Sequence, residues 1–293
     1  PPVIKIFNIH ALIPYVKSPF TKLYELYFRL ILEERLSNIL HKFQILLKTT
    51  SIFKNWYLYP LVYLNLIKKK YVIFETKSGL KIKIRTNSTD LMALTNVWLS
   101  QEYDLKKFNL KKDCIIIDIG AHIGLFALFS CKLCPNGKIF CYEPVKENFE
   151  LLEQNIQLNN ISNIIIQNTA VSKDSSFVKI FLDDDFSAHS MYQENKNSIN
   201  VKSYSFSDII KNNNISKCNL LKLDCEGAEY EIIDSLSDEL FMKIDNIVME
   251  YHFADSKPQL VNELLGKIEN KKFIISKNPH KNNMGFLTAT NKK

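Results

Sequence analysis

Three short runs hold residue types that could do chemistry at a single place in a fold. The first is Asp118-Ile-Gly120-Ala121-His122-Ile-Gly124. Glycine at that spacing lets the backbone take positive torsions and lets a ligand approach the main chain closely. A helix that follows such a turn aims its free N–H groups at whatever sits there, and His122 is expected to cap that helix. The second run is Glu143-Pro144, 19 residues beyond Gly124. Nucleoside-binding α/β sheets place an acid there to accept the ribose hydroxyls. The third is Asp224-Cys-Glu226-Gly227-Ala-Glu229, three acids within six residues. Acids in the first turn of a helix opening at Gly227 would complement its dipole, whereas Asp224 falls at a strand end. Asp224, Glu226, Glu250 and His252 are the candidate proton acceptors, His252 because imidazole titrates near neutral pH. Asp224 and Glu226 could share a divalent cation, but the sequence names no third ligand and no metal is expected. His189 is a candidate for lining an acceptor pocket.

These runs need elements to hold them. Cys114–Ile119 is a continuous apolar run, the pattern of a strand buried on both faces. Strand and helix patterns alternate after it: a helix over about 122–133, a strand at 138–142, a helix at 145–159 and strands at 164–167 and 220–223. A helix at 227–236, a strand at 244–251, a helix at 259–269 and an antiparallel pair at 273–276 and 285–290 follow, with added strands at 177–182 and 199–204. The alternation predicts an α/β fold with a doubly wound, mostly parallel sheet and helices on both faces. Ligands of such sheets bind at the carboxyl ends of the strands, where all three runs fall.

The front of the chain differs. Residues 20–48 have apolar positions at helical spacing, and Ser51 is placed to cap a second helix running through 67, before Lys68-Lys-Lys70. Tyr71–Thr76 and Leu80–Arg85 read as a hairpin around Ser78-Gly79, and Thr89–Leu99 as a helix. The expected division is a helical accessory region over 1–70 and a catalytic domain over 71–293.

At 293 residues, 46% hydrophobic and 24% charged, the chain has the composition of an ordinary globular protein rather than a disordered one. Residues 1–113 carry 19 basic and 8 acidic side chains, and the remainder 19 and 23. Only Arg29, Arg35 and Arg85 are arginines, which argues against base reading in nucleic acid. The basic front makes residues 20–70 a candidate for peripheral contact with an anionic membrane surface. Its most apolar stretch, Trp56–Ile67, is too short to span. The six cysteines sit mostly in apolar runs, and Cys131-Lys-Leu-Cys134 has no second pair or nearby histidine, so free thiols and a cytoplasmic location are expected.

The stretch from Ile116 to His252 resembles the FkbM-like family of S-adenosylmethionine-dependent methyltransferases. The likeness is carried by Ile116-Ile-Asp118-Ile-Gly120-Ala-His-Ile-Gly124, Tyr142-Glu143-Pro144-Val-Lys-Glu-Asn148, Asn155-Ile156, Asn168-Thr-Ala170-Val171, Leu221-Lys-Leu-Asp224-Cys-Glu226-Gly-Ala-Glu229 and Val248-Met-Glu250-Tyr-His252. It implies a class I methyltransferase fold with a seven-stranded sheet and S-adenosyl-L-methionine as cofactor. Gly120, Ala121 and Gly124 would lie under the methionyl part, with Asp118 holding that loop or reaching the amine. Glu143, followed by Pro144, would take the ribose, Asn168 and Ala170 would lie near the adenine, and Asp224 beside the methyl-donor end. His122 stands where the family often has Asn. The implied activity is O-methylation of a hydroxyl on a sugar, glycan or related metabolite, with Asp224, Glu226 and His252 as catalytic candidates. A catalytically silent scaffold is the alternative. The missing third glycine of G-x-G-x-x-G and the Asp224-Cys-Glu226-Gly run argue against a nicotinamide enzyme.

Overall fold

A computed structural model describes residues 39–182, 197–281 and 283–292. The described residues from 48 onward form one compact unit. The helix expected over 20–48 lies mostly outside the described residues, where its end is seen as helix α1 over 39–52, and His189 lies outside them too.

The expected helix from Ser51 to 67 is not formed as one piece. Phe53 bridges to Thr76, and Asn55 donates to Ile73 O and accepts from Glu75 N, so this stretch is laid along a strand edge. Helix α2 is confined to Leu58–Tyr63 and has no side-chain cap. The hairpin forms as expected from β1 (Tyr71–Glu75) and β2 (Lys81–Arg85), paired antiparallel. Helix α3 (Asp90–Leu94) runs into a wider π-helical turn over Thr95–Ser100.

The main sheet has β3 (Ile115–Ile119), β4 (Lys138–Tyr142), β5 (Ile164–Gln167), β9 (Leu220–Leu223), β10 (Asn246–His252), β11 (Phe273–Lys281) and β12 (Met284–Asn291). Its order is β11-β12-β10-β9-β3-β4-β5, with β12 antiparallel to both neighbours. From β3 the chain winds outward to β4 and β5, then returns to β9 on the other side. The switch point therefore lies between β3 and β9, where doubly wound sheets bind ligands.

Side chains alternate across a strand, and the parity of these strands sorts the chemistry. Ile117, Ile119, Leu221, Leu223, Ile247 and Met249 point into one apolar cluster with residues of helices α6 (Phe206–Asn212), α7 (Glu229–Ser235), α8 (Asp238–Lys243) and α9 (Pro258–Asn270). Asp118, Lys222 and Glu250 have the opposite parity and share the other face. Asp118 is the register partner of Lys222. On that face lie α4 (Leu125–Ser130), where Trp98 Nε1 donates to Leu125 O, and α5 (Lys146–Gln157). The hairpin docks on α5 through amides that imitate a strand: Asn155 pairs with Lys83 N and O, and Asn159 with Lys81 N and O.

The added strands are more than decoration. Strands β6 (Ala170–Ser172), β7 (Phe177–Leu182) and β8 (Asn197–Ser205) make a second sheet in the order β6-β8-β7. Helices α6 and α8 were not predicted. Each begins at a serine, Ser205 or Ser237, whose Oγ accepts a backbone N–H of the first turn. No helix among the described residues is long and apolar enough to cross a membrane.

Candidate functional site

A cavity of about 380 Å³ lies at the carboxyl ends of β3, β4, β9 and β10. The turn after β3 forms its floor. Gly120 (φ +75) is required there, because a Cβ would meet Asp224 O at 1.8 Å. Gly120 N and Ala121 N both donate to Tyr142 O, which ties the turn to β4. Gly124 (φ +84) opens α4 without touching the cavity, and a Cβ there would strike Leu152 of α5. The helix cap is thus Gly124 and not His122. His122 itself is left-handed (φ +50), a conformation that asparagine tolerates better than most residues.

Glu143 dominates one end. Its Oε2 accepts His122 N at 2.8 Å and its Oε1 accepts Val145 N at 2.9 Å. The carboxyl is buried, and burial pushes its pKa up to about 7 despite those two donors. Its lone pairs are not exhausted by two bonds, and Val145, Ala170, Val171 and Ile180 line the apolar space beside it. Asn168 is exposed and does not line the cavity. Its Nδ2 donates to Glu143 O and Pro144 O, so it braces the loop.

The other end is a charged wall. Lys222 is buried, with Nζ 3.1 Å from Asp118 Oδ1, 3.5 Å from Asp224 Oδ2 and 2.6 Å from Gly120 O, to which it donates. Burial opposes its charge, but Asp118 and Asp224 more than compensate and raise its pKa. Asp118 thus holds the loop through Lys222. Burial alone would raise Asp224; Lys222, His252 and the Tyr103 hydroxyl, donating at 3.0 Å, outweigh it and hold the carboxyl below its ordinary range. The Tyr103 ring packs edge-on against Phe126 and Phe286.

His252 is 5% exposed, with Nδ1 3.0 Å from Glu229 Oε1. The same carboxylate accepts His252 N and Gly227 N. His252 Nε2 lies 3.3 Å from Glu226 Oε2 and 4.0 Å from Glu250 Oε1. Burial works against its charge, yet Glu229, Glu226 and Asp224 raise the imidazole to about 10. Burial and then Asp224 raise Glu250 to about 8. At neutral pH His252 carries its proton and Glu250 is poised to exchange one.

A third group holds His122 and Asn148, which both line the cavity. Arg85 grips Asp90 through Nε and one terminal nitrogen, and that terminal nitrogen also donates to Asn148 Oδ1. His122 Nε2 is 3.2 Å from the same guanidinium, and burial lowers its pKa to about 4. His122 is therefore a neutral ring lining the cavity.

Of the predicted residues, Gly120, Ala121, Glu143, Pro144, Ala170, Asp224 and Glu226 line this one cavity. Asp118, Gly124, Asn168 and His252 stand behind it and position it. Lys222, Tyr103, Arg85, Asp90 and the bracing role of Glu229 were not anticipated. Lys222 had a visible signal, a lone cation in an otherwise apolar central strand. All six cysteines are free.

Residues 118–275 match the methyltransferase FkbM domain. Methyltransferase 1 of Beauveria bassiana is 27% identical over 183 residues, covering 55% of this chain and 72% of the relative. Hexuronic acid methyltransferase AglP of Haloferax volcanii is 23% identical over 158 residues, covering 54% and 63%. Among solved structures, TYW2 of M. jannaschii in complex with AdoMet aligns at 13% identity and TM-score 0.43, covering 76% of this chain and 85% of that one.

Proposed function

The chain belongs to the FkbM methyltransferase family, a SAM-dependent enzyme family, and on that premise we propose that it methylates a hydroxyl oxygen of a sugar, glycan or related polyhydroxylated metabolite. The cofactor is S-adenosyl-L-methionine, and the cavity fits it. Glu143 retains acceptor capacity for ribose hydroxyls, with an apolar slot beside it for a base. Asp224, Glu226 and Glu250 line the opposite wall, where a cationic methyl donor and a hydroxylated acceptor would meet. Bound there, the cofactor supplies an electrophilic methyl group.

The observation that carries this reading is the placement of Glu143 at one end of a cavity and of Asp224 and Glu226, backed by His252, at the other. Tyr103 and Lys222 orient Asp224, and Glu229 orients His252. An acid of the wall would take the proton of the acceptor hydroxyl as that oxygen is held in line with the bound methyl donor. Alignment and exclusion of water do much of this work. Asp224 is the wall's ionised acid and the better base, because His252 and most of Glu250 already hold a proton at neutral pH. The named activity of the haloarchaeal relative on hexuronic acid supports a sugar acceptor. Incubation with methyl-labelled cofactor and a panel of uronic acids, hexoses and amines tests the reading. Label on a hydroxyl oxygen supports it, and transfer confined to amines overturns it.

A second reading concerns location. Trp56, Tyr57, Tyr63, Leu64 and Leu66 are exposed just ahead of Lys68-Lys-Lys70, the composition of an interfacial membrane contact. The full chain should float with anionic vesicles, and a Lys68/69/70→Glu variant should not. Failure of the full chain to float overturns this part alone.

A further inference from the structure

We propose that Asp224, Glu226 and His252 bind a divalent metal ion at the acceptor end of the cavity. One ligand atom from each residue lies within 4.8 Å of the others. Ligands held at about 2.0–2.5 Å from one ion are separated by no more than about 5 Å. Asp224 and Glu226 lie between β9 and α7, and His252 ends β10, the parallel neighbour of β9. The three therefore converge without distortion of the sheet.

Acidic residues gather on many protein surfaces without an ion. The histidine distinguishes this group. His252 is buried, and its Nε2 makes no hydrogen bond although Glu226 Oε2 is 3.3 Å away. The other ring nitrogen faces Glu229 Oε1 at 3.0 Å, and Glu229 is wholly buried and fixed by two backbone N–H groups. A carboxylate behind a histidine is the usual support of a metal ligand, because it sets the tautomer and aims the far nitrogen. The contacts of Asp224 with Tyr103 and Lys222 both fall on Oδ2, which leaves Oδ1 for the ion. The Asp224 and Glu226 side chains are about a quarter exposed, so the remaining coordination positions face the cavity.

One imidazole and two carboxylates suit a first-row ion such as Mn²⁺ better than Mg²⁺ or Ca²⁺. The role of the ion, though not its site, rests on the acceptor-end reading above. Open positions would take two oxygens of the acceptor, which favours a vicinal diol or a hydroxy acid, and a bound hydroxyl loses its proton more readily.

The test uses the full chain, stripped with EDTA and titrated with Mn²⁺ alone, with free Mn²⁺ followed by electron paramagnetic resonance. One ion per chain with a Kd of about 100 µM or tighter is expected. Glu226→Gln and His252→Gln should each weaken it at least tenfold, and Glu229→Gln about 10–100-fold. Far-UV circular dichroism and a cooperative thermal unfolding transition, recorded on the same samples, show that each variant is folded. No binding below about 1 mM, or binding that survives both ligand variants, overturns the site. Methyl transfer that is indifferent to EDTA overturns the role. Stoichiometric Mn²⁺ binding without transfer to any hydroxyl acceptor supports the site and overturns the O-methylation reading instead.

Discussion

The two ends of the cavity are built on different principles. The Glu143 end is made of backbone. A glycine turn is tied by two amides to Tyr142 O, and one carboxylate is pinned by two more amides. Its parts come from a stretch of about 30 residues, two consecutive strand ends. The Asp224 end is made of charge. Tyr103, Lys222, Asp224, Glu226, Glu229, Glu250 and His252 come from three separate regions of the chain and set one another's protonation. A backbone-built site should fail at one residue and tolerate change elsewhere. A charge-built site should respond as a unit, because in low dielectric each unpaired group is costly.

Lys222 belongs to both ends and gives the largest expected effect. Lys222→Ala would leave Asp118 buried without its cation and free the Gly120 carbonyl. Breaking a buried pair in this way costs about 3–5 kcal/mol. Chemical denaturation should show that loss; a change below about 1 kcal/mol would mean that the two ends are not joined through this ammonium. Next comes Glu143→Ala. Hydrogen bonds to a charged group are worth about 1.5–3 kcal/mol each, so calorimetry should find cofactor affinity reduced at least about 100-fold. Asp224→Asn acts at the other end. It should lower kcat by about 100-fold, the scale of a lost proton acceptor, with a much smaller change in cofactor Kd. If the two variants have the same signature, the division of labour is wrong.

The same contrast explains what could be read without coordinates. Strands β4, β5 and β9 have the bounds expected from sequence to the residue, because short, mainly apolar runs between turn residues leave little room to shift. The Glu143 end was legible because its parts are local: glycines after one strand and an acid after the next. The charged wall was legible only residue by residue. That Asp118 faces Lys222 depends on the register of β3 against β9, more than 100 residues apart, and that Glu229 reaches His252 depends on α7 folding back over β10. Periodicity holds no record of register. The Ser51 helix failed for a related reason: an apolar pattern was interrupted by edge pairing with the hairpin, a tertiary contact that local propensity does not contain.

The pH dependence separates the ends further. Glu143 has a folded pKa of about 7, above its ordinary value of 4.5. The cofactor-free fold therefore holds an extra proton between those values, and this group's contribution to stability is lost as pH rises through 7. Ribose recognition needs the carboxylate, so binding releases that proton and affinity moves the opposite way. Between pH 6 and pH 8 the Kd should tighten about tenfold, and the thermal shift produced by cofactor should grow. A Kd flat over this range, by calorimetry in two buffers, would show that the proton leaves Glu143 before binding.

Asn168 provides the smallest and most discriminating effect. The family resemblance places it near the adenine, whereas its amide is bonded to the Glu143 and Pro144 carbonyls and its surface faces outward. If it only braces the loop, Asn168→Ala removes two neutral hydrogen bonds of about 1 kcal/mol each, shared between loop order and overall stability. Cofactor affinity should then fall by about 3–10-fold with kcat unchanged, and Asn168→Asp should not restore it, because a carboxylate cannot donate to carbonyls. A 100-fold loss would instead put Asn168 in direct contact with the cofactor. The backbone-built end would then depend on a second side chain, and its contrast with the charged wall would be one of degree.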